Sequence, residues 1–455
     1  MDEFKETINQ KEQIETLETI EKEAESLIDT DNKPIAGEES YFELNEDITN
    51  LKNAEDEGNI TSIPVLLYNI KTFLARFDKI DKIEHFTEFD IQHLLIKYIQ
   101  MVENPDIQIF ALEIITLLCE KAPDTIFISL IDAELQQTLA HLMEIELFKS
   151  KYYVFTAYGF IINRDQTYAK ELLSNVDFTM INDAAVECQS LQKNDGVNFF
   201  YFKLTKSDFF PIDYLSEFIG MFFISLIKKI GVRYTLASID TLILKKLINP
   251  DILIESFILD RILSIISSFD DIINSMYAVK ILGHLSEIFE FTIDFDFTSL
   301  LNNMVQLDDS WPIQVFCTAM AQIALHCSDN LISIILENDI FNLLASLQER
   351  SFENMLYSIY FISSLVVRIP TNSLLSLVTP DFLNSLFPGI SSDNNEIVFS
   401  VLSAIWRIMN TPELSFVVQQ SEIQDNVEDI ENLDQNEKLE TISSQILEKL
   451  PEFFE

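Results

Sequence analysis

The sequence predicts an all-α solenoid of about nine stacked three-helix repeats, flanked by acidic ends. Three observations carry that reading. Apolar residues recur at helical period through one short segment after another, and no stretch alternates long enough to read as a strand. A helix with a small residue at its centre returns at intervals near 41 residues. Glycine and proline number only 8 and 12 in 455 residues, while hydrophobic residues make up 48%, which excludes collagen-like and disordered chains.

The elements follow in order. Residues 1–60 carry 19 acids against 5 bases, and residues 421–455 carry 11 against 2, so both read as acidic tails or loosely docked helices. Within the first, Ile14, Leu17, Ala24, Leu27 and Ile28 fall on one face of an amphipathic helix that Asp31-Asn32-Lys33-Pro34 ends. At Ser62-Ile63-Pro64 a capping hydroxyl precedes a proline, a helix start, and Leu66, Leu67, Ile70, Leu74 and Phe77 continue the period. From there to 420 the breaks are brief: Asn104-Pro105-Asp106, Asn249-Pro250-Asp251, Asp308-Asp309-Ser310 and Asn394-Asn395.

The recurring helix centres on Ala111, Ala157, Ala237, Ala278, Ala319, Tyr360 and Ala404. From 237 to 360 the spacing is 41 each time, with 44 for the last step. The 80 residues between Ala157 and Ala237 require a degraded copy near Val197, and a first copy is expected near Ala75. Two shorter helices lie between centres, as in Leu331–Glu337 and Asp339–Leu347. Three helices in about 40 residues form one unit of a helical solenoid, in which each unit buries its apolar face against its neighbours. The small residue lets adjacent backbones approach.

The phrase Asn104-Pro105-Asp106-Ile107-Gln108-Ile109-Phe110-Ala111-Leu112 resembles the third-helix signature of the armadillo-repeat family, and Glu337-Asn338-Asp339-Ile340-Phe341 is similar to that family's link between first and second helices. The resemblance covers 61–420 and implies a right-handed superhelix. The family's usual glycine between first and second helices is mostly absent, which leaves a HEAT-like geometry open, and Asn198–Pro211 fits the repeat poorly. The family lines a concave groove with its third helices. Its importin-alpha-like members grip extended cargo with a Trp and an Asn four residues later. The corresponding pairs are Glu113/Leu117, Lys280/His284, Ala321/Leu325, Ile362/Val366 and Trp406/Asn410, of which Trp406/Asn410 keeps both residue types.

Catalytic patterns do not emerge. No Gly-rich phosphate loop exists, and His85, His93, His141, His284 and His326 form no pair at helical ligand spacing. His85 and His93 lie eight apart around Glu88 and Asp90, which suits a solvated loop better than a metal. Asp270-Asp271 and Asp308-Asp309 sit where helices open and the macrodipole favours anions. Cys119, Cys188, Cys317 and Cys327 are scattered in apolar text and read as core. The expectation is a non-enzymatic chain with no cofactor and no metal.

A net charge of −44 argues against direct nucleic-acid binding. The longest apolar runs, Phe218–Ile227 and Tyr357–Val367, fall short of the ~20 residues of a bilayer span. An acidic start without a signal-peptide core points to the cytoplasm or nucleus. The one net-positive stretch holds Lys193, Lys203, Lys206, Lys228, Lys229, Arg233, Lys245 and Lys246, read either as solvated helix ends or as a patch for an acidic tail or partner. The run Phe199-Phe200-Tyr201-Phe202 is expected in the core. The function predicted is a protein-interaction scaffold that favours a basic or extended peptide. An importin-alpha-like transport adaptor and a regulatory subunit docking an enzyme are the alternatives.

Overall fold

In the computed structural model the described residues are 38–77, 79–80, 84–144, 151–174, 178–190, 196–288, 297–307, 310–337, 340–348, 350–431 and 437–454. Among them the regular structure is helical. They divide into two compact units, with the boundary between Leu247 and Ile248.

The first unit contains α1 (Glu38–Asp56), α2 (Ile63–Ala75), α3 (Glu84–Glu88), α4 (Ile91–Ile99), α5 (Pro105–Lys121), α6 (Asp124–Asp132), α7 (Leu135–Glu144), α8 (Lys151–Arg164), α9 (Gln166–Ser174), α10 (Phe178–Ser190), α11 (Gly196–Lys206), α12 (Leu215–Lys228) and α13 (Val232–Leu244). Helices α2, α5, α8, α11 and α13 stack side by side as a ladder, and the shorter helices pack along it. Ala111, Ala157 and Ala237 are buried at the contacts between ladder helices, as the repeat requires.

The second unit contains α14 (Pro250–Glu255), α15 (Ile258–Ser268), α16 (Ile272–Ile288), α17 (Phe297–Val305), α18 (Ser310–His326), α19 (Asp329–Glu337), α20 (Ile340–Gln348), α21 (Phe352–Arg368), α22 (Thr371–Leu377), α23 (Pro380–Asn384), α24 (Asn395–Met409), α25 (Ser415–Gln420), α26 (Val427–Glu431) and α27 (Glu437–Lys449). Its ladder is α16, α18, α21, α24 and α27. Ala278, Ala319, Tyr360 and Ala404 are buried in it. Gly283 marks the closest approach: a Cβ there would stand 2.9 Å from the Ala319 Cα on α18.

Local chemistry sets the helix starts. Asn249 accepts from the Ile252 amide, Asn394 from Glu396 and Asp271 from Asn274, so each caps the helix that follows. Ser62 behaves differently. Helix α2 does begin after it, but its hydroxyl donates to the Asn59 carbonyl and leaves the cap to Pro64, which needs no amide partner. Ala75 is exposed at the end of α2, so the centre of the first copy lies earlier, near Leu67 and Ile70. The degraded copy is α11, which starts at Gly196 beside Val197. The amphipathic segment 14–28 and Asp308-Asp309 lie outside the described residues.

Five steps between ladder helices are tied at their carboxyl ends by a cation from the next rung. Lys121 Nζ donates to Ala75 O at 3.4 Å. Arg164 donates to Leu118 O and Cys119 O and also to Ala122 O, while pairing with Asp124 at 2.7 Å. Lys245 donates to Lys206 O and Ser207 O at 2.9 and 2.8 Å. In the second unit Arg368 serves Leu325 O and Cys327 O, and Arg407 serves Val366 O, Val367 O and Ile369 O. The last carbonyls of a helix have no intrahelical donor and carry partial negative charge, so a cation there satisfies both.

The acidic carboxyl end is built into the second unit. Leu439 and Ile446 of α27 are fully buried, and α27 packs on α24 as a further rung. The sequence reading set 421–455 outside the solenoid as an acidic tail or loosely docked helix; residues 437–449 instead form a packed rung, because their apolar face is buried against α24. No single helix among the described residues is long and apolar enough to cross a membrane.

Candidate functional site

Five polar side chains from four consecutive rungs of the second unit meet on one face: His284 and Glu287 of α16, Gln322 of α18, Tyr360 of α21 and Glu396 of α24. Gln322 Nε2 donates to Glu287 Oε1 at 2.9 Å. The Tyr360 hydroxyl lies near Glu396 and Glu287 and feels the charge of both carboxylates. Burial raises the Tyr360 pKa, with both carboxylates adding to it, so the phenol stays protonated. His284, Gln322 and Tyr360 are buried, whereas Glu287 and Glu396 reach solvent. Glu396 is nonetheless crowded by protein. Loss of hydration raises its pKa, against the pull of His284 and of the nearby Tyr360 hydroxyl. The result is a buried polar floor beneath two exposed carboxylates, a chemistry that suits a guanidinium or ammonium group.

Sequence reasoning named His284 from this group, with Lys280 beside it, half-buried on the same helix. It missed Glu287, Gln322, Tyr360 and Glu396. Tyr360 was legible only as an occupant of the small-residue position. Glu113 lies in the first unit, where it pairs with Lys71 at 3.1 Å and accepts from the Tyr153 hydroxyl at 2.7 Å. It bridges α2, α5 and α8.

Trp406, half-buried near the end of α24, and Asn410, exposed just after it, do meet, and Lys449 reaches both. Asn410 Nδ2 donates to Trp406 O at 2.8 Å, Lys449 Nζ donates to Asn410 Oδ1, and that ammonium stands 5.4 Å from the Trp406 ring centroid. The signal that could have found this is spacing: Lys449 follows Asn410 by 39 residues, one repeat.

The basic stretch splits into roles. Lys245 is a clamp on α11, and burial lowers its pKa while Asp208 opposes. Lys228 and Lys229 are exposed at the end of α12, and Lys246 is exposed after α13. Lys193 lies outside the described residues. Lys203, Lys206 and Arg233 come together over aromatic rings. Lys203 Nζ lies 5.4 and 5.1 Å from the Phe199 and Phe202 centroids, and Lys206 Nζ 4.5 Å from Phe202. The Arg233 guanidinium is 4.7 Å from the Tyr234 ring and donates to its hydroxyl at 2.8 Å. Tyr234 in turn touches both Phe199 and Phe202, at 5.4 and 6.0 Å between centroids. The whole run Phe199–Phe202 is buried, in keeping with its reading as core. Among the described residues no three His, Cys, Asp or Glu side chains gather as metal ligands.

No protein-family profile matches the chain, and no curated protein matches it either. Solved structures do. An engineered protein aligns over 89% of this chain and 99% of its own, with 12% identity and a TM-score of 0.60. The crystal complex of SYS-1 and POP-1 aligns over 90% of this chain and 85% of the other, with 11% identity and a TM-score of 0.53. At such identities the likeness concerns fold. The chain has an armadillo-like helical-repeat fold.

Proposed function

We propose that the protein is a non-enzymatic interaction scaffold that holds an extended partner segment against its ladder helices, with a basic side chain of that segment at Glu287 and Glu396. The observation that carries this reading is the five-residue polar face of α16, α18, α21 and α24. Both carboxylates lie near Tyr360, and each offers a charged acceptor to a basic side chain. The net charge of −44 speeds the approach of a basic partner and disfavours phosphate backbones. The fold supports it too, since SYS-1 is found in complex with another protein, POP-1. For the transport-adaptor alternative, a cargo peptide at Trp406 and Asn410 would have to displace Lys449. The buried thiols of Cys119, Cys317 and Cys327 suit a reducing compartment, the cytoplasm or nucleus.

The test is fluorescence anisotropy with a labelled peptide of alternating Arg and Ala at physiological salt. Replacing Glu287 and Glu396 together by Gln should weaken binding at least tenfold, while Glu57→Gln and Glu134→Gln, exposed elsewhere, should change it little. Equal losses from both pairs would mean that net charge alone attracts the peptide and would overturn the assigned site.

A further inference from the structure

Helix α24 already has a complete apolar face: Ile397, Val398, Val401, Leu402 and Ile405 are buried in the second unit. Phe399 lies on the other side of the helix and is 40% exposed. It shares that side with Glu396, one turn earlier, and with the half-buried Ser403, one turn later. Ser403 Oγ donates back to the Phe399 carbonyl at 2.7 Å, so its proton is used within the helix. Single exposed rings are common on protein surfaces. This one adjoins the carboxylate assigned to the partner's basic side chain.

We propose that Phe399 is an apolar subsite beside Glu396, and that the partner segment carries an aliphatic residue two positions away from its basic one. The proposal rests on the reading of Glu287 and Glu396 as the place of that basic side chain. Spacing fits the occupant. Side chains three apart on a helix have Cβ atoms ~5–6 Å apart, and alternate side chains on one side of an extended segment are ~6.6 Å apart. A segment running along α24 with its basic side chain at Glu396 therefore sets its next side chain on that side over Phe399. Charge selects an uncharged side chain there. A carboxylate would meet the like charge of Glu396. On the other side, Trp406 lies about 10 Å further along the same helix, and the Lys449 ammonium stands 5.4 Å from its ring centroid. Between an anion and a cation, an aliphatic side chain meets neither as a like charge and covers the exposed ring.

The experiment uses the full chain and fluorescence anisotropy with three labelled peptides of equal charge at physiological salt. The first is Arg-Ala-Leu-Ala-Arg-Ala-Leu-Ala-Arg, with leucine two positions from each arginine. The second moves both leucines next to the central arginine, and the third replaces them with alanine. The first peptide should bind about fivefold more tightly than the third, the scale of partly burying a leucine side chain, and more tightly than the second. Phe399→Ala should remove that gain and leave the alanine peptide unchanged, Phe399→Leu should keep most of it, and Phe416→Ala, exposed on α25, should keep all of it. The comparison of leucine registers on the unaltered protein stands even if a variant fails to fold. No leucine gain, an equal gain in both registers, or a gain that survives Phe399→Ala would each overturn the subsite. The carboxylate reading fails on a different result: binding of the alanine peptide that is unaffected when Glu287 and Glu396 are both replaced by Gln.

Discussion

Arg368 Nη1 donates to the carbonyl of Leu325 at 2.8 Å, joining the ends of two rungs that lie 43 residues apart in sequence. Its second nitrogen reaches Cys327 O at 3.0 Å and Asp329 at 3.4 Å. One guanidinium thus closes the end of α18 and fixes the start of α19. Lysine offers a single point charge there and cannot hold all three acceptors.

Replacing Arg368 with Met keeps the aliphatic stem and removes the donors. Charge-assisted bonds to carbonyls are worth about 1.5–3 kcal/mol net, and solvent around the partly exposed head lowers that range. The expected loss is therefore about 1–2 kcal/mol, read as a lower urea midpoint with an unchanged slope. Arg368→Lys should recover part of it. A midpoint equal to that of the unaltered protein would mean that water serves these carbonyls equally well.

Gly283 lies inside α16, where alanine would ordinarily favour the helix by about 0.5–1 kcal/mol. Here the added Cβ meets the Gln322 Oε1 at 2.5 Å and the Ala319 Cα at 2.9 Å. The side chain can turn away, but the Cα belongs to backbone and cannot. Overpacking at such contacts costs about 1–3 kcal/mol, so Gly283→Ala should be net destabilising. A rise in the thermal midpoint would show that the rungs separate without cost.

What was legible in the sequence was the part written as periodicity. Small residues at 237, 278 and 319 announced stacked rungs because close backbone approach tolerates nothing larger. The prolines after Asn104 and Asn249 announced helix starts because proline fits the first turn and no later one. The polar face was illegible for the opposite reason. Glu287, Gln322, Tyr360 and Glu396 come from four rungs, and their convergence depends on rotation between helices, which no single period encodes. The clamps fell between: a cation at the end of α5, α8, α13, α21 and α24 is visible, but its carbonyl partners about 40 residues back are not. The basic stretch misled because adjacency in sequence grouped Lys245, a helix clamp, with Lys203 and Arg233.

Ile446 tests whether the acidic end is structural. It is fully buried where α27 meets α24, and its truncation to alanine leaves a cavity costing about 2–5 kcal/mol. Hydrogen exchange should then quicken in α27 and α24 first, since a terminal rung has one neighbour instead of two. Unchanged exchange across α24 would mean that α27 adds no stability to the rung beneath it.

Glu396 links stability to pH, and the sign follows from the direction of its shift. Although the residue reaches solvent, crowding by protein strips hydration from its carboxyl and raises the pKa in the folded protein above the ordinary carboxylate value, with His284 and Tyr360 opposing. The folded state therefore holds that proton more tightly than the unfolded chain does. The stability this contributes is fully present below the ordinary carboxylate range and is lost as pH rises through the raised value. Glutamine keeps the neutral shape at every pH. Glu396→Gln should thus match the unaltered protein on the acid side and exceed its thermal midpoint by pH 8. Because the same carboxylate is assigned to a basic side chain of the partner, the stabilised variant should bind the Arg-Ala peptide less well. A variant less stable at pH 8 would show that the Tyr360 and His284 interactions outweigh the lost hydration, and that the ionised form is the one the fold prefers.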